Sequence, residues 1–315
     1  MKKNVKIIIA LAIVLVVGIG AILTIAHKPK DNKELSIVTT NFPAYDFARA
    51  VAGDKADIKI LIQPGAELHD FEPSPSDIID IKNSDLFIYT GGESDEWVED
   101  ILTSSDDKQI RSFKLMSAVE LLEEEEVEGI EEHEHEEDEI EYDEHVWTSL
   151  RNSQKIISSL AKELGEISPE DKDLFEANAN SYNQKLAKLD SEFQSIVDGA
   201  KRKTLVFGDR FPLRYFVEDY GLEYFAAFPG CSEQTEASNK TIAFLINKVK
   251  SENIPVVLKV EMSSANIAET IAKETNTKYL TFNSAHNISA DDFKNGKSYA
   301  EIMESNLKVL KEALN

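Results

Sequence analysis

From Leu35 onward, short runs rich in β-branched and aromatic residues alternate with stretches of helical period. Strands are predicted at residues 35–40, 58–62 and 86–90, with helices at 45–51 and 76–82 between them. Strands separated by helices require crossover connections, so this part of the chain is expected to be an α/β lobe on a parallel sheet. The alternation resumes after Gly199, with strands predicted at 204–207, 224–228, 256–260 and 279–282 and helices around 213–220, 240–251, 266–274 and 299–314. A second lobe of similar pattern is expected there, although no repeat of sequence links the two.

Between these regions the pattern is purely helical. Residues 147–164 read as one helix, and Ser168-Pro169-Glu170-Asp171 offers an N-cap, a proline for the first helical position and acids for the first turn of another. Phe175, Ala179, Tyr182, Leu186, Leu189, Phe193 and Ile196 follow at alternating steps of four and three, which gives one apolar stripe over about 30 residues. A helix with such a stripe packs along the body instead of serving as a flexible linker. The expected fold is therefore two similar α/β lobes with parallel sheets joined by one long rigid helix. The N-terminal lobe takes residues 35–167, the connecting helix 168–200 and the C-terminal lobe 201–315. Ligands of open α/β sheets bind beyond the carboxyl ends of the strands, which directs attention to the cleft between the lobes.

Residues 1–34 differ from the rest. Lys2, Lys3 and Lys6 precede an uncharged apolar stretch from residue 7 to 26, which is 20 residues and just spans a hydrocarbon core of about 30 Å. A cleaved signal usually has a shorter apolar region, so a membrane anchor with its basic end in the cytoplasm is expected, with cleavage after Thr24-Ile25-Ala26 as the alternative. Either way the folded part is exported, to the outer face of the cytoplasmic membrane if it stays tethered.

Composition narrows the partners. Lys plus Arg number 34 against 58 Asp plus Glu, a formal charge of −24, and no basic patch stands out, so a nucleic-acid partner is not expected. With 42% hydrophobic residues the chain can bury cores of real size. Cys231 is the only cysteine, which excludes a disulfide framework or a cysteine cage within one chain; any metal must be held by imidazole and oxygen. A monomer is expected.

Three of the six histidines fall where a lobe would expose them to the cleft. His69 lies in a proline-rich loop after a predicted strand, His145 opens a predicted helix, and His286 follows the last predicted strand. Three imidazoles and an oxygen form a tetrahedral zinc site. Glu261, at the end of the strand predicted at 256–260, is a candidate for the oxygen, with water another and Asp209 a weaker third. Between Glu123 and Glu144, 15 of 22 residues are acidic, a density expected to make 123–144 a disordered, solvated loop. His133 and His135, set among its glutamates, raise the further idea of weak metal capture beside the site.

The motifs Asn41-Phe42-Pro43-Ala44-Tyr45, PGAELHDFEPSPSDI from residue 64, DEHVWTSL from residue 143 and YFVEDYGL from residue 215 resemble the substrate-binding proteins of metal-uptake ABC transporters, particularly their zinc-binding branch. The resemblance runs from about residue 35 to the end at 315. It implies two lobes bridged by a long helix, metal in the interlobe cleft, His69 and His145 as ligands and an ABC permease as partner. A third family ligand falls on Arg210, which cannot bind metal, and this throws the second-lobe contribution onto His286. The expected function is thus an extracytoplasmic receptor that carries Zn2+ as cargo and catalyses nothing. Alternatives are a manganese receptor, favoured by a more oxygen-rich shell, a surface zinc hydrolase using Glu261 as base, and an acidic adhesin. Neither a His-Glu-x-x-His pattern nor a nucleophile elbow is present to support the hydrolase.

Overall fold

Two four-stranded parallel sheets, alike in strand order, carry the described part of the chain. The computed structural model describes residues 34–66, 71–103, 110–125, 128–129, 141–230 and 237–315. The first sheet contains β1 (Leu35–Thr39), β2 (Ala56–Ile60), β3 (Leu86–Tyr89) and β4 (Ser112–Lys114) in the order β2-β1-β3-β4. In register, Ile37 of β1 faces Ile58 on one side and Leu86 on the other. The helices of this lobe are α1 (Phe42–Ala52), α2 (Pro75–Asn83) and α3 (Glu96–Thr103). Every residue of β3 is buried, as a strand covered on both faces requires.

Two of the resembling motifs owe part of their sequence to chain geometry. Asn41 accepts the Ala44 N–H at 3.2 Å, which caps α1, and its amide donates to Thr90 Oγ1 at 2.7 Å beyond β3. Ser74 and Asp77 form a reciprocal capping box at the start of α2, with Pro75 in the first turn.

The helical middle consists of α4 (Leu150–Ile167) and α5 (Lys172–Asp198), packed against each other. The predicted boundaries shift here. Ser168 does not cap α5; its N–H closes α4 onto Leu164 O at 2.9 Å, and its hydroxyl reaches Asp171 Oδ2 at 3.2 Å. Ser168 to Asp171 therefore form the turn between two helices, because the chain must end one before starting the next. Likewise α4 starts at Leu150 under a Ser149 cap, since Val146–Thr148 is a 3-10 turn. The α5 stripe ends on Val197 instead of Ile196, four residues beyond Phe193.

The second lobe has β5 (Thr204–Arg210), β6 (Glu223–Phe228), β7 (Val256–Lys259) and β8 (Lys278–Thr281) in the order β6-β5-β7-β8. Its helices are α6 (Arg214–Tyr220), α7 (Asn239–Glu252), α8 (Asn266–Thr275), α9 (Ala290–Lys294) and α10 (Tyr299–Ala313). Topology thus repeats where sequence does not. One apolar core takes in residues of both lobes, α4 and α5, including Phe47, Trp147, Phe193, Phe216 and Tyr299. Each sheet keeps a smaller outer cluster, around Phe87 and Val98 in the first lobe and around Val206 and Leu245 in the second.

Polar bonds join the two lobes to the long helix. Asp46 of α1 accepts the Tyr182 hydroxyl of α5 at 2.6 Å and the Tyr299 N–H of α10 at 2.9 Å. The helix is a packed strut, as its stripe predicts. Among the described residues no helix is long and apolar enough to cross a membrane; the expected anchor at 7–26 lies outside them.

Candidate metal centre

The site is best built from the acidic segment inward. Its two ends pair: Glu123 and Tyr142 form an antiparallel bridge, and Glu124 N–H donates to Glu141 O at 2.9 Å. One step further, Asp143 N–H donates to Leu122 O at 3.0 Å, and Tyr215 Oη donates to Asp143 O at 2.8 Å. The expected solvated loop 123–144 is therefore corrected at both ends, since a paired stem satisfies the backbone there and Asp143 and Glu144 are buried. His133 and His135 lie outside the described residues.

This stem delivers His145 to the interior. Its ring is wholly buried, and Asp143 Oδ1 lies 2.8 Å from its backbone N and 3.2 Å from Nδ1. A carboxylate at Nδ1 accepts a hydrogen bond from Nδ1–H in the neutral tautomer that leaves a lone pair on Nε2. Nε2 is buried and meets no hydrogen-bond partner among the described residues. Burial pulls the His145 pKa down, but the charge and hydrogen bond of Asp143, then the charges of Glu144 and Glu124, outweigh it and leave it raised above 6.5. Gly230 packs beside the ring, where a Cβ would make an ordinary van der Waals contact with it at 3.6 Å.

His286 arrives from the other lobe, on the loop after β8. Glu261, just past β7, shapes that loop: Oε2 accepts the Ser284 N–H at 2.7 Å, and Oε1 accepts the Ser284 hydroxyl at 2.8 Å and the His286 N–H at 3.1 Å. Ala285 between them has φ +57°, a left-handed conformation costly for a residue with a Cβ. Asn306 of α10 secures the loop's start, accepting the Asn283 N–H at 2.8 Å and donating to Asn283 O at 2.7 Å.

The two lobes meet at these rings. His145 and His286 stand at 88° with centroids 4.9 Å apart, and Trp147 lies 5.4 Å from each. One ligand atom each from Glu144, His145 and His286 falls within 4.8 Å of the others. A tetrahedral zinc site with bonds of about 2.0–2.1 Å separates its ligand atoms by roughly 3.3 Å, so a modest contraction would close the three around an ion.

Of the predicted residues, the structure thus brings together His145 and His286. His69 lies outside the described residues, but its loop runs up to Ala66 against the second lobe. There Gly65 N–H donates to Asn287 Oδ1 at 3.2 Å, and the Asn287 amide donates to Ala66 O. Glu261 is not in the converging group, because its oxygens hold the loop that carries His286. Asp209 is also elsewhere: Oδ2 accepts the Val260 N–H at 2.9 Å and the Ser263 hydroxyl, fastening the turn after β7. Arg210 closes β5 beside Phe228. Glu144 is not among the candidates that the sequence offers, because it stands in the acidic run. The signal was its place against His145-Val146-Trp147, where the charge run gives way to core residues.

Two parallel-sheet lobes strutted by one long helix, with side chains of both lobes converging between them, define a two-lobed binding protein. The chain belongs to the family described as the periplasmic component A of zinc-uptake complexes, ZnuA, which it matches over residues 37–313. It is 34% identical over 287 residues to the zinc-binding lipoprotein AdcA of Streptococcus pneumoniae (strain ATCC BAA-255 / R6), a match covering 91% of this chain and 57% of AdcA. The chain thus spans little more than half the length of that relative. With the high-affinity zinc uptake system protein ZnuA of Bacillus subtilis (strain 168) it shares 30% identity over 314 residues, 98% of this chain and 96% of that one. The crystal structure of the Zn(II)-bound ZnuA-like domain of Streptococcus pneumoniae AdcA superposes with a TM-score of 0.75 at 32% identity, covering 89% of this chain and 99% of that domain.

Proposed function

We propose that this chain is an extracytoplasmic receptor that captures Zn2+ between its lobes and delivers it to an ABC permease, without catalysing a reaction. The observation that carries the reading is the buried Nε2 of His145, without a hydrogen-bond partner among the described residues, on a ring whose centroid lies 4.9 Å from that of a second-lobe imidazole. An orphaned imidazole nitrogen in a dry site is costly unless a cation takes its lone pair. His69, His145 and His286 are the proposed nitrogen ligands. A shell so rich in imidazole favours zinc over manganese, which prefers more oxygen. The segment 7–26 is proposed to tether the protein to the outer face of the membrane, unless cleavage frees it. Because α5 is packed against both lobes, release is proposed to proceed through local movement of ligand-bearing loops instead of wide hinge opening.

Metal analysis of the purified protein, with zinc and manganese titrations of the wild type and of His69→Ala, His145→Ala and His286→Ala, tests this reading. Tight zinc binding that each variant weakens is expected. Preference for manganese, or zinc binding indifferent to all three changes, would overturn it.

A further inference from the structure

The structure leaves open where an oxygen ligand comes from, and Glu144 has the right position. We propose that Glu144 supplies the carboxylate oxygen to the bound metal, an inference that rests on the reading of the chain as a metal receptor. Its carboxylate belongs to the group of ligand atoms within 4.8 Å of one another, together with both imidazoles. It is only 2% exposed, and the hydrogen bonds it accepts among the described residues come from neutral donors of one residue, the Ser94 N–H at 3.0 Å and the Ser94 hydroxyl. These donors are neutral, and a divalent cation would supply the full counter-charge that they do not. Beside it stands the wholly buried His145 ring, whose Nε2 also lacks a partner among the described residues. One carboxylate held by neutral donors and one imidazole nitrogen without a hydrogen-bond partner among the described residues, side by side, would make half of a metal shell.

The surroundings serve to aim this side chain. The two Ser94 bonds fix the carboxylate plane, as hydrogen-bonded partners of metal ligands do. Gly92, at φ +87°, makes room for it: a Cβ there would sit 2.7 Å from both Glu144 Cβ and Oε2. The two acids that the sequence offers for the oxygen, Glu261 and Asp209, are committed elsewhere. Glu261 accepts three hydrogen bonds from the loop carrying His286, Asp209 fastens the turn after β7, and the end of β5 carries Arg210. The first lobe would then provide both kinds of ligand from adjacent residues, Glu144 and His145.

The test compares zinc affinity, by competition with a chromophoric chelator, and the visible spectrum of the Co2+-substituted protein in the wild type, Glu144→Gln, Glu144→Asp and Ser94→Ala. Glu144→Gln is expected to weaken zinc binding by more than about 100-fold, beyond the roughly 10- to 100-fold that loss of a ligand's hydrogen-bonding partner costs, and to change the Co2+ spectrum. Ser94→Ala should fall within that smaller range. The metal-free Glu144→Gln protein should melt close to the wild-type temperature, since the amide still fits between Gly92 and Ser94, whereas a purely structural carboxylate would give a lower one. Wild-type affinity and spectrum in Glu144→Gln, or a lowered melting temperature with affinity retained, would overturn the proposal. Should Glu144→Gln not fold, Glu144→Asp decides: its shorter arm should alter spectrum and affinity, and leaving both unchanged refutes the assignment. A wild type that binds neither zinc nor Co2+ would instead sink the receptor reading itself.

Discussion

Trp147 donates its indole N–H to the carbonyl oxygen of Ser284 at 3.0 Å, and so ties the segment bearing His145 to the loop bearing His286 across the two lobes. Both imidazoles pack on the indole, so one side chain sets the spacing of two proposed ligands held by different lobes. Trp147→Phe would strip the buried carbonyl of its donor, at about 1–3 kcal/mol, and add the loss of packed ring volume. The expected result is lower stability in denaturant unfolding together with weaker zinc binding, although no ligand has changed. Full zinc affinity in a destabilised Trp147→Phe protein would show that the ring spacing is set elsewhere.

The pH response of the site has a definite sign. His145 titrates above its usual 6.5, since the neighbouring acids outweigh burial. In the metal-free protein this group contributes stability below pH 6.5, and that contribution is lost as pH rises through the raised pKa. Metal needs the neutral ring, so zinc binding runs the other way and strengthens as pH rises. Melting curves between about pH 5 and pH 8, with and without zinc, should show a zinc-induced increment that grows with pH and has its midpoint above 6.5. An increment that stays flat over this range would speak against imidazole ligation.

Much of this arrangement is legible in the sequence, for reasons that differ by element. The strands and the α5 stripe show themselves because burial imposes a period that the residues must obey. His145 and His286 stand out because a histidine at a strand or helix end has few structural duties. What stayed hidden depends on side-chain direction. Glu261 and Glu144 are both acids next to predicted core segments, and no period in the sequence says which turns toward a loop's amides and which toward the imidazoles. Short elements were lost as well: β4 has three residues and α9 five, too few to establish a period. The turn Ser168 to Asp171 imitates a helix start because a Ser-Pro-Glu-Asp sequence also suits the exit of one helix and the entry to another.

Glu261 offers a contrast with the ligand role proposed for Glu144. Its carboxylate holds Ser284 and His286 around Ala285 at φ +57°, so its work is to keep a costly turn in place. In Glu261→Gln one amide oxygen still accepts from the loop, but the NH2 group now faces a donor. Zinc affinity is expected to fall roughly 10- to 100-fold, with the Co2+ spectrum retained because the ligand atoms are unchanged. Amide NMR of the metal-free variant should show shifts centred on Ser284 and His286. A Co2+ spectrum altered as strongly as that of a ligand variant would restore Glu261 to the shell.

At the joint among α1, α5 and α10, Tyr182 should behave differently from Trp147, because its bonds run to Asp46 and Ala300 along the strut. Burial and the Asp46 carboxylate push the Tyr182 phenol well above its usual 10, so it remains a hydrogen-bond donor throughout the working pH range. Its hydroxyl gives Asp46 one of its bonds and accepts the Ala300 N–H at 3.2 Å. Tyr182→Phe therefore leaves a buried carboxylate and a backbone N–H each short of a partner, which should cost about 2–4 kcal/mol, more than a neutral bond alone, since one partner is charged. Tyr299 connects this joint to Trp147, its hydroxyl donating to Trp147 O at 2.5 Å, but Tyr182→Phe leaves that bond and the indole bond to Ser284 in place, so zinc affinity should stay within a few-fold of the wild type while the denaturant midpoint falls. Loss of affinity in step with stability would mean that the strut and the metal site form one cooperative unit, and the assignment of their separate roles to Tyr182 and Trp147 would have to be abandoned.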